Sequence, residues 1–209
     1  MQAITDIKHL TVQTLPPILV LTGEDVGQFE WLKKDILKKI GYDPSDLNYS
    51  YFDMKEASYA EVELDLVSLP FFADEKIVIL DHLLDLTTAK KRNLTDEDLK
   101  QFENYLENPS ESTRLVIFAE GKLDSKRRLV KLLKRDAQII EATSPKEQDL
   151  KCYFASQAQE LGIQFVGDSL DQLLLKSGYD FGELQKNLAL LQAYKEDGQI
   201  TLEDIKEVV

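Results

Sequence analysis

Short apolar runs bounded by turn residues alternate with amphipathic stretches through the first two-thirds of the chain, and no other feature restricts its fold as much. PPILVLTG (16–23), NYSYFDM (48–54), EKIVILDH (75–82), RLVIFAE (114–120) and AQIIEA (137–142) read as strands. Between them lie helical patterns. In EDVGQFEWLKKDILKKI (24–40), Phe29, Leu32, Ile36, Leu37 and Ile40 recur at helical spacing, and Gly41 offers a stop. In SYAEVELDLVSL (58–69), Val62, Leu66 and Leu69 share a stripe, and Pro70 disfavours the α conformation at Leu69. TDEDLKQFENYLEN (95–108) opens on a Thr95 N-cap with acids in its first turn, and SKRRLVKLLKR (125–135) is a basic helix. Strands that alternate with helices predict an α/β fold, a five-stranded, mostly parallel sheet with helices on both faces.

The pattern changes at Ser144-Pro145. From there the sequence reads only as helices: KEQDLKCYFASQAQELG, DSLDQLLLKSG, DFGELQKNLALLQAYKEDG and a short TLEDIKEVV. Residues 1–143 are therefore expected to form the α/β domain, and 144–209 a small domain of three to four helices. A chain of 209 residues has room for this division and needs no disulfide or metal staple.

The lone Cys152 has no internal partner, which points to a reducing, cytoplasmic setting. MQAITDIKHLTVQTL lacks the basic-then-apolar pattern of a signal peptide, and no apolar run approaches the roughly 18 residues of a membrane span. A formal net charge of −13 opposes the balance expected of a free-standing nucleic-acid binder, although it leaves room for DNA contact inside a larger assembly.

The ends of parallel strands are where such sheets hold nucleotides, so their sequences bear directly on chemistry. The turn after the first strand reads GEDVGQFEWLKK. Gly23 and Gly27 are present, but no Gly-Lys-Ser/Thr follows, and Glu24 and Asp25 put negative charge where phosphates would sit. Those acids suit a helix N-terminus instead. The third strand ends in Asp81-His82, with histidine where a hydrolysing P-loop enzyme carries a second acid. The fourth ends in Glu120, where a neutral polar residue is usual. Three altered stations together predict a nucleotide-binding fold that does not hydrolyse nucleotide. Two histidines and one cysteine make a zinc cluster implausible, and no nucleophile elbow or singled-out carboxylate pair appears. No metal or cofactor is expected.

The helix 125–135 carries Lys126, Arg127, Arg128, Lys131, Lys134 and Arg135 around an apolar face of Leu129, Val130, Leu132 and Leu133. It reads as a sheet-packing helix with a solvated basic side, or as a face that meets an acidic subunit or DNA. TTAKKRN (87–93) carries the same ambiguity. Pro70, Phe71 and Phe72 pose a similar choice. IVIL already supplies the third strand's apolar residues, so the two rings fall at a helix-to-strand corner, as a local core plug or an exposed tip. If a partner pocket took both, the gross gain would be roughly 3–6 kcal/mol, or about 10²–10⁴ in affinity.

The order and spacing of LVLTGEDVGQFEWLKK, NYSYFD, SLPFFADEKIVILDH, LENPSESTRLVIFAEGKLDSKRRLVKLLK, KEQDLKCYFASQAQELGI and ITLEDIKEVV resemble the delta subunits of bacterial DNA polymerase III clamp loaders. The resemblance implies a degenerate AAA+ module, RecA-like domain plus helical lid, without a working ATP site. In the lid of related ATPases a G-x-x-R motif brings an arginine to the nucleotide; here GYDF puts Phe181 in its place. The resemblance also implies that the corner grips the sliding clamp. Clamp-binding peptides resemble Q-L-x-L-F, and the matching residues are Ser68, Leu69, Pro70, Phe71 and Phe72; Ser68 departs from Gln and Phe71 from Leu. Implied partners are the clamp (beta subunit), the ATP-driven motor subunits (gamma/tau) and delta-prime, with DNA met only within the assembly. Family members carry a C-terminal collar domain, and the chain is expected to lack it. A clamp-opening subunit without catalysis is the leading expectation; a divergent P-loop-like ATPase and an adaptor for other AAA+ proteins are its rivals.

Overall fold

A computed structural model describes residues 1–70, 73–195 and 198–209. The chain divides into two compact units, one of residues 2–143 and one of residues 144–209 with Met1.

The first unit is built on β1 (Ile18–Gly23), β2 (Tyr49–Asp53), β3 (Lys76–Asp81), β4 (Thr113–Glu120) and β5 (Gln138–Ala142), a five-stranded sheet in the order β2-β3-β4-β1-β5. Every pairing is parallel. The helices are α1 (Gln2–Asp6), α2 (Val26–Lys39), α3 (Tyr59–Val67), α4 (Asp96–Glu107) and α5 (Arg128–Asp136), and a 3₁₀ turn spans Leu84–Leu86. Parallel strands need crossovers, and the crossovers cover both faces, so the central strands are apolar at consecutive positions. Ile18, Val20, Val78, Leu80, Leu115 and Ile117 enter the core shared with α3, α4 and α5. Their neighbours Leu19, Leu21, Ile77, Ile79, Val116 and Phe118 enter the opposite core, with Phe29, Leu32 and Ile36 of α2. Side chains one residue apart point to opposite faces of a strand, which divides the runs in this way.

Local signals set the helix ends. Asp25 caps α2, its carboxylate accepting from the Gln28 amide at 2.8 Å. Gly41, at φ +68°, ends it in the left-handed conformation that glycine adopts without a Cβ penalty. Thr95 and Asp98 form a capping box on α4. Two expectations needed correction. Helix α5 starts at Arg128, not at Ser125, because the Asp124 carboxylate accepts from the Lys126 amide at 3.1 Å and holds a turn there. Helix α3 ends at Val67, and Ser68 is already extended at ψ 151°, so Leu69 leaves the stripe of Tyr59, Val62 and Leu66 and is 75% exposed.

The second unit contains α6 (Glu147–Glu160), α7 (Ser169–Lys176), α8 (Phe181–Tyr194) and α9 (Leu202–Val208). It is not purely helical. Two-residue strands β6 (Gln164–Phe165) and β7 (Gln199–Ile200) pair in parallel, and the Ser169 hydroxyl donates to the Ile200 carbonyl at 2.9 Å. Such short strands have no readable period. Phe181 is fully buried, its ring 5.6 Å from Tyr153 and 5.5 Å from Phe154.

A capping box of Thr201 and Asp204 starts α9, and Lys195 Nζ donates to the Asp204 carboxylate at 2.8 Å. The Lys195 ammonium first, then the Thr201 hydroxyl and amide, hold the Asp204 carboxyl down to about 2. Its folded value lies below the ordinary 3.9 or so. The stabilisation is therefore complete well above pH 4 and is lost as pH falls through about 2. A carboxyl titration by NMR should place the Asp204 midpoint near 2, and Lys195→Met should raise it.

Candidate functional site

Two places on the first unit matter: the carboxyl ends of the strands, and the corner between α3 and β3.

At the end of β1 the backbone closes on itself. The Gly23 amide donates to the Gly121 carbonyl at 3.0 Å, the Gly121 amide returns a bond at 2.7 Å, and the Asp25 amide donates to the Ala142 carbonyl at 3.3 Å. The Thr22 hydroxyl adds a bond to the Gly121 carbonyl at 2.7 Å. These amides are engaged within the fold, whereas a phosphate cradle leaves such groups aimed at its ligand. Glu120 is exposed at the end of β4.

At the end of β3, Asp81 is enclosed by partners. Lys33, in the second turn of α2, donates to Asp81 Oδ2 at 2.5 Å, and the Tyr51 hydroxyl donates to the same oxygen at 2.5 Å. Oδ1 accepts from the His82 amide at 2.9 Å. Burial first, and then the Asp81 carboxylate, push the Tyr51 phenol well above its ordinary value, so it stays a donor. His82 takes a left-handed φ of +56°, with ring Nδ1 2.9 Å from Asp53 Oδ1. Burial raises the Asp53 carboxyl, but the Lys55 amide and the His82 ring outweigh it and hold the group below its ordinary value. Among the described residues no group of three or more His, Cys, Asp or Glu has the arrangement of a metal site.

Sequence spacing gave no sign of Lys33, the partner that completes this cluster. It lies 48 positions from Asp81, and as a lysine in an amphipathic helix it reads as solvated surface.

At the other end of β3, Leu64, Val67 and Leu69 are 71%, 60% and 75% exposed. Leu64 and Val67 are three apart, so they are neighbours on the outer face of α3. Sequence reasoning passed over both; the signal was two apolar residues off the buried stripe of a short helix. Ser68 and Pro70 are half-buried. Phe71 and Phe72, expected at the centre of the site, lie outside the described residues.

The basic residues of 125–135 are largely engaged in the fold. Arg127 pairs with Asp124 at 3.3 Å and donates to the Asp85 carbonyl at 2.5 Å. Arg128 pairs with Glu107 at 2.5 Å and Glu103 at 3.4 Å, and Arg135 with Asp136 at 2.6 Å. Lys134 donates to the Ser125 hydroxyl at 2.8 Å. Lys126 and Lys131 are exposed. At 87–93, Asn93 ties the segment down by donating to the Met54 carbonyl at 2.7 Å.

A parallel sheet in this order, with helices on both faces and a small, mainly helical unit after it, is the RecA-like fold of AAA+ proteins. Thermotoga maritima RuvB, described as a Holliday junction branch migration motor, matches with a TM-score of 0.57 at 11% identity, over 90% of this chain and 60% of that one. A Bacillus subtilis DNA clamp loader delta protein (YqeN) matches with a TM-score of 0.70 at 22% identity, over all of this chain and 61% of that one. In sequence, the DNA polymerase III subunit delta of Bacillus subtilis (strain 168) is 27% identical over 208 residues, 97% of this chain and 59% of the relative. The family model for DNA polymerase III, delta subunit, matches residues 19–143, and the chain belongs to that family. It spans about three-fifths of the length of these delta relatives. Among the described residues no helix is long and apolar enough to cross a membrane.

Proposed function

We propose that the chain is a non-catalytic clamp-loader subunit that docks on the DNA sliding clamp through the corner 68–72 and the adjoining end of α3, and favours the ring's open form. Family membership supports the replication setting. The observation that carries the docking reading is the run of exposed apolar side chains, Leu64, Val67 and Leu69, leading directly into Pro70, Phe71 and Phe72. A ligand shifts an equilibrium only through its differential affinity for the two states, so the tip would have to bind the open ring more tightly. Motor subunits (gamma/tau) would supply ATP-driven control, delta-prime would complete the assembly, and DNA would be met only within it, in the cytoplasm. The enclosed Asp81 and the engaged amides around Gly23 support a subunit that does not itself hydrolyse nucleotide. The ion pairs of Arg127, Arg128 and Arg135 favour a structural role for the basic helix, leaving Lys126, Lys131 and Lys134 as the better candidates for a subunit or DNA contact.

The test is clamp pull-down and calorimetry. The double variant Phe71→Ala with Phe72→Ala should abolish clamp binding with the circular dichroism spectrum unchanged, and Leu69→Ala alone should weaken it about tenfold. Wild-type affinity in the double variant would remove the assignment. Micromolar, magnesium-dependent ATP binding by the wild type would instead favour a divergent ATPase.

A further inference from the structure

The end of helix α3 is held from the sheet by a buried lysine. Lys76, the first residue of β3, is only 5% exposed, and lysine is almost never buried without partners. Its Nζ donates to the Asp65 carbonyl, lies 3.1 Å from Asp65 Oδ1, and donates to the Ser68 hydroxyl at 2.7 Å. The Ser68 hydroxyl lies 3.1 Å from the same Asp65 carbonyl, and the Ser68 amide donates to the Leu64 carbonyl at 3.1 Å. The Thr113 hydroxyl of β4 donates to the Leu66 carbonyl at 3.3 Å. Three successive carbonyls of the last turn thus have protein donors, where a helix end ordinarily leaves such groups to water. The ammonium also sits at the helix C-terminus, where the dipole favours a cation.

We infer that Lys76 is a positioning residue for the docking tip, and that Ser68 belongs to this anchor and not to the surface offered to the clamp. Lys76 fixes the end of α3 and the turn at Ser68, and so sets the direction in which Leu69 leaves the helix. The inference rests on the docking reading above and deepens it: Leu64, Val67 and Leu69 stay on the contacting surface, and Ser68 between them does not. It also accounts for serine at the position where clamp-binding peptides carry a glutamine. The hydroxyl faces an internal ammonium, and a longer amide would displace it.

The experiment compares clamp affinity and amide exchange in Lys76→Met, Lys76→Arg, Ser68→Ala and Leu69→Ala. Lys76→Met should weaken clamp binding about tenfold and Ser68→Ala about threefold, with faster exchange at 66–69 and unchanged exchange in β1 and β4. In a Leu69→Ala background, Lys76→Met should have little further effect on binding while still speeding exchange at 66–69. That separates positioning of the tip from general stability, which would weaken binding equally in both backgrounds. If Lys76→Met fails to fold, Ser68→Ala and Lys76→Arg carry the test. Wild-type affinity in variants with faster exchange at 66–69 would overturn the positioning role while leaving docking intact. Wild-type affinity in Leu69→Ala and in the double phenylalanine variant would overturn the docking reading itself.

Discussion

Gly23→Ala is expected to destabilise the first unit by about 3–5 kcal/mol, from backbone strain and a steric clash together. Gly23 has φ +133°, a conformation that residues with a Cβ rarely adopt. A Cβ there would lie 2.1 Å from the Ala142 carbonyl oxygen and 2.6 Å from the Ala142 carbonyl carbon. Both contacts are to backbone, so relief requires moving β5 away from β1, or opening the paired Gly23–Gly121 bonds. For a unit of this size the melting temperature should fall by about 10 °C or more in a thermal scan. Gly121→Ala is the internal comparison. Its φ is +117°, but the nearest atoms to its Cβ would be those of the Thr87 side chain, no closer than 3.6 Å. That variant should lose the strain cost alone, about 1–3 kcal/mol. Equal losses at the two positions would show that close approach of β5 contributes nothing. The same approach leaves the turn after β1 tied down by the ends of β4 and β5, which is why Asp25 serves as a helix cap there.

The strands were legible because both sheet faces are covered: runs such as ILVL and IVIL have no polar alternation to confuse with a helix stripe. Helices α2 and α4 were legible at their ends because Asp25, Gly41 and Thr95 act within a few residues of themselves. The misread helix ends combine a local turn, Asp124 with the Lys126 amide, and interactions across the fold. Pro70 marked a stop after Leu69, but nothing in the sequence announced that Lys76 would reach Ser68 or that α3 would end earlier, at Val67. The run SKRR reads as helix from its propensity, yet Arg127 is drawn to the Asp85 carbonyl 42 residues away. The strand order was not readable from periodicity and came only with the structure. Of the candidate site, the corner 68–72 was named from the resemblance, whereas the exposure of Leu69, Leu64 and Val67 became visible once the buried side of α3 was known.

Lys33→Met is expected to cost about 3–5 kcal/mol, the range for removing one partner of a buried ion pair. The side chains of Lys33 and Asp81 are only 13% and 4% exposed, and the ammonium also lies 5.6 Å from the centre of the Phe118 ring. Methionine matches the stem of lysine in length, so packing is largely kept and the loss reports the charge. What remains is a carboxylate inside the fold with the Tyr51 hydroxyl and the His82 amide as its donors. Adding Asp81→Asn removes that stranded charge, and the double variant should recover most of the stability, because neutral side chains of similar volume often replace buried pairs with little loss. Urea denaturation of the four proteins closes the cycle, with an expected coupling of about 1–3 kcal/mol. Additive losses would mean that the pair is incidental. A strong coupling would mean that the acid at the end of β3 is retained for α2, whose lysine neutralises it. Clamp affinity per folded molecule should be unchanged across the cycle, because α2 and the end of β3 lie at the opposite end of that strand from the corner after α3.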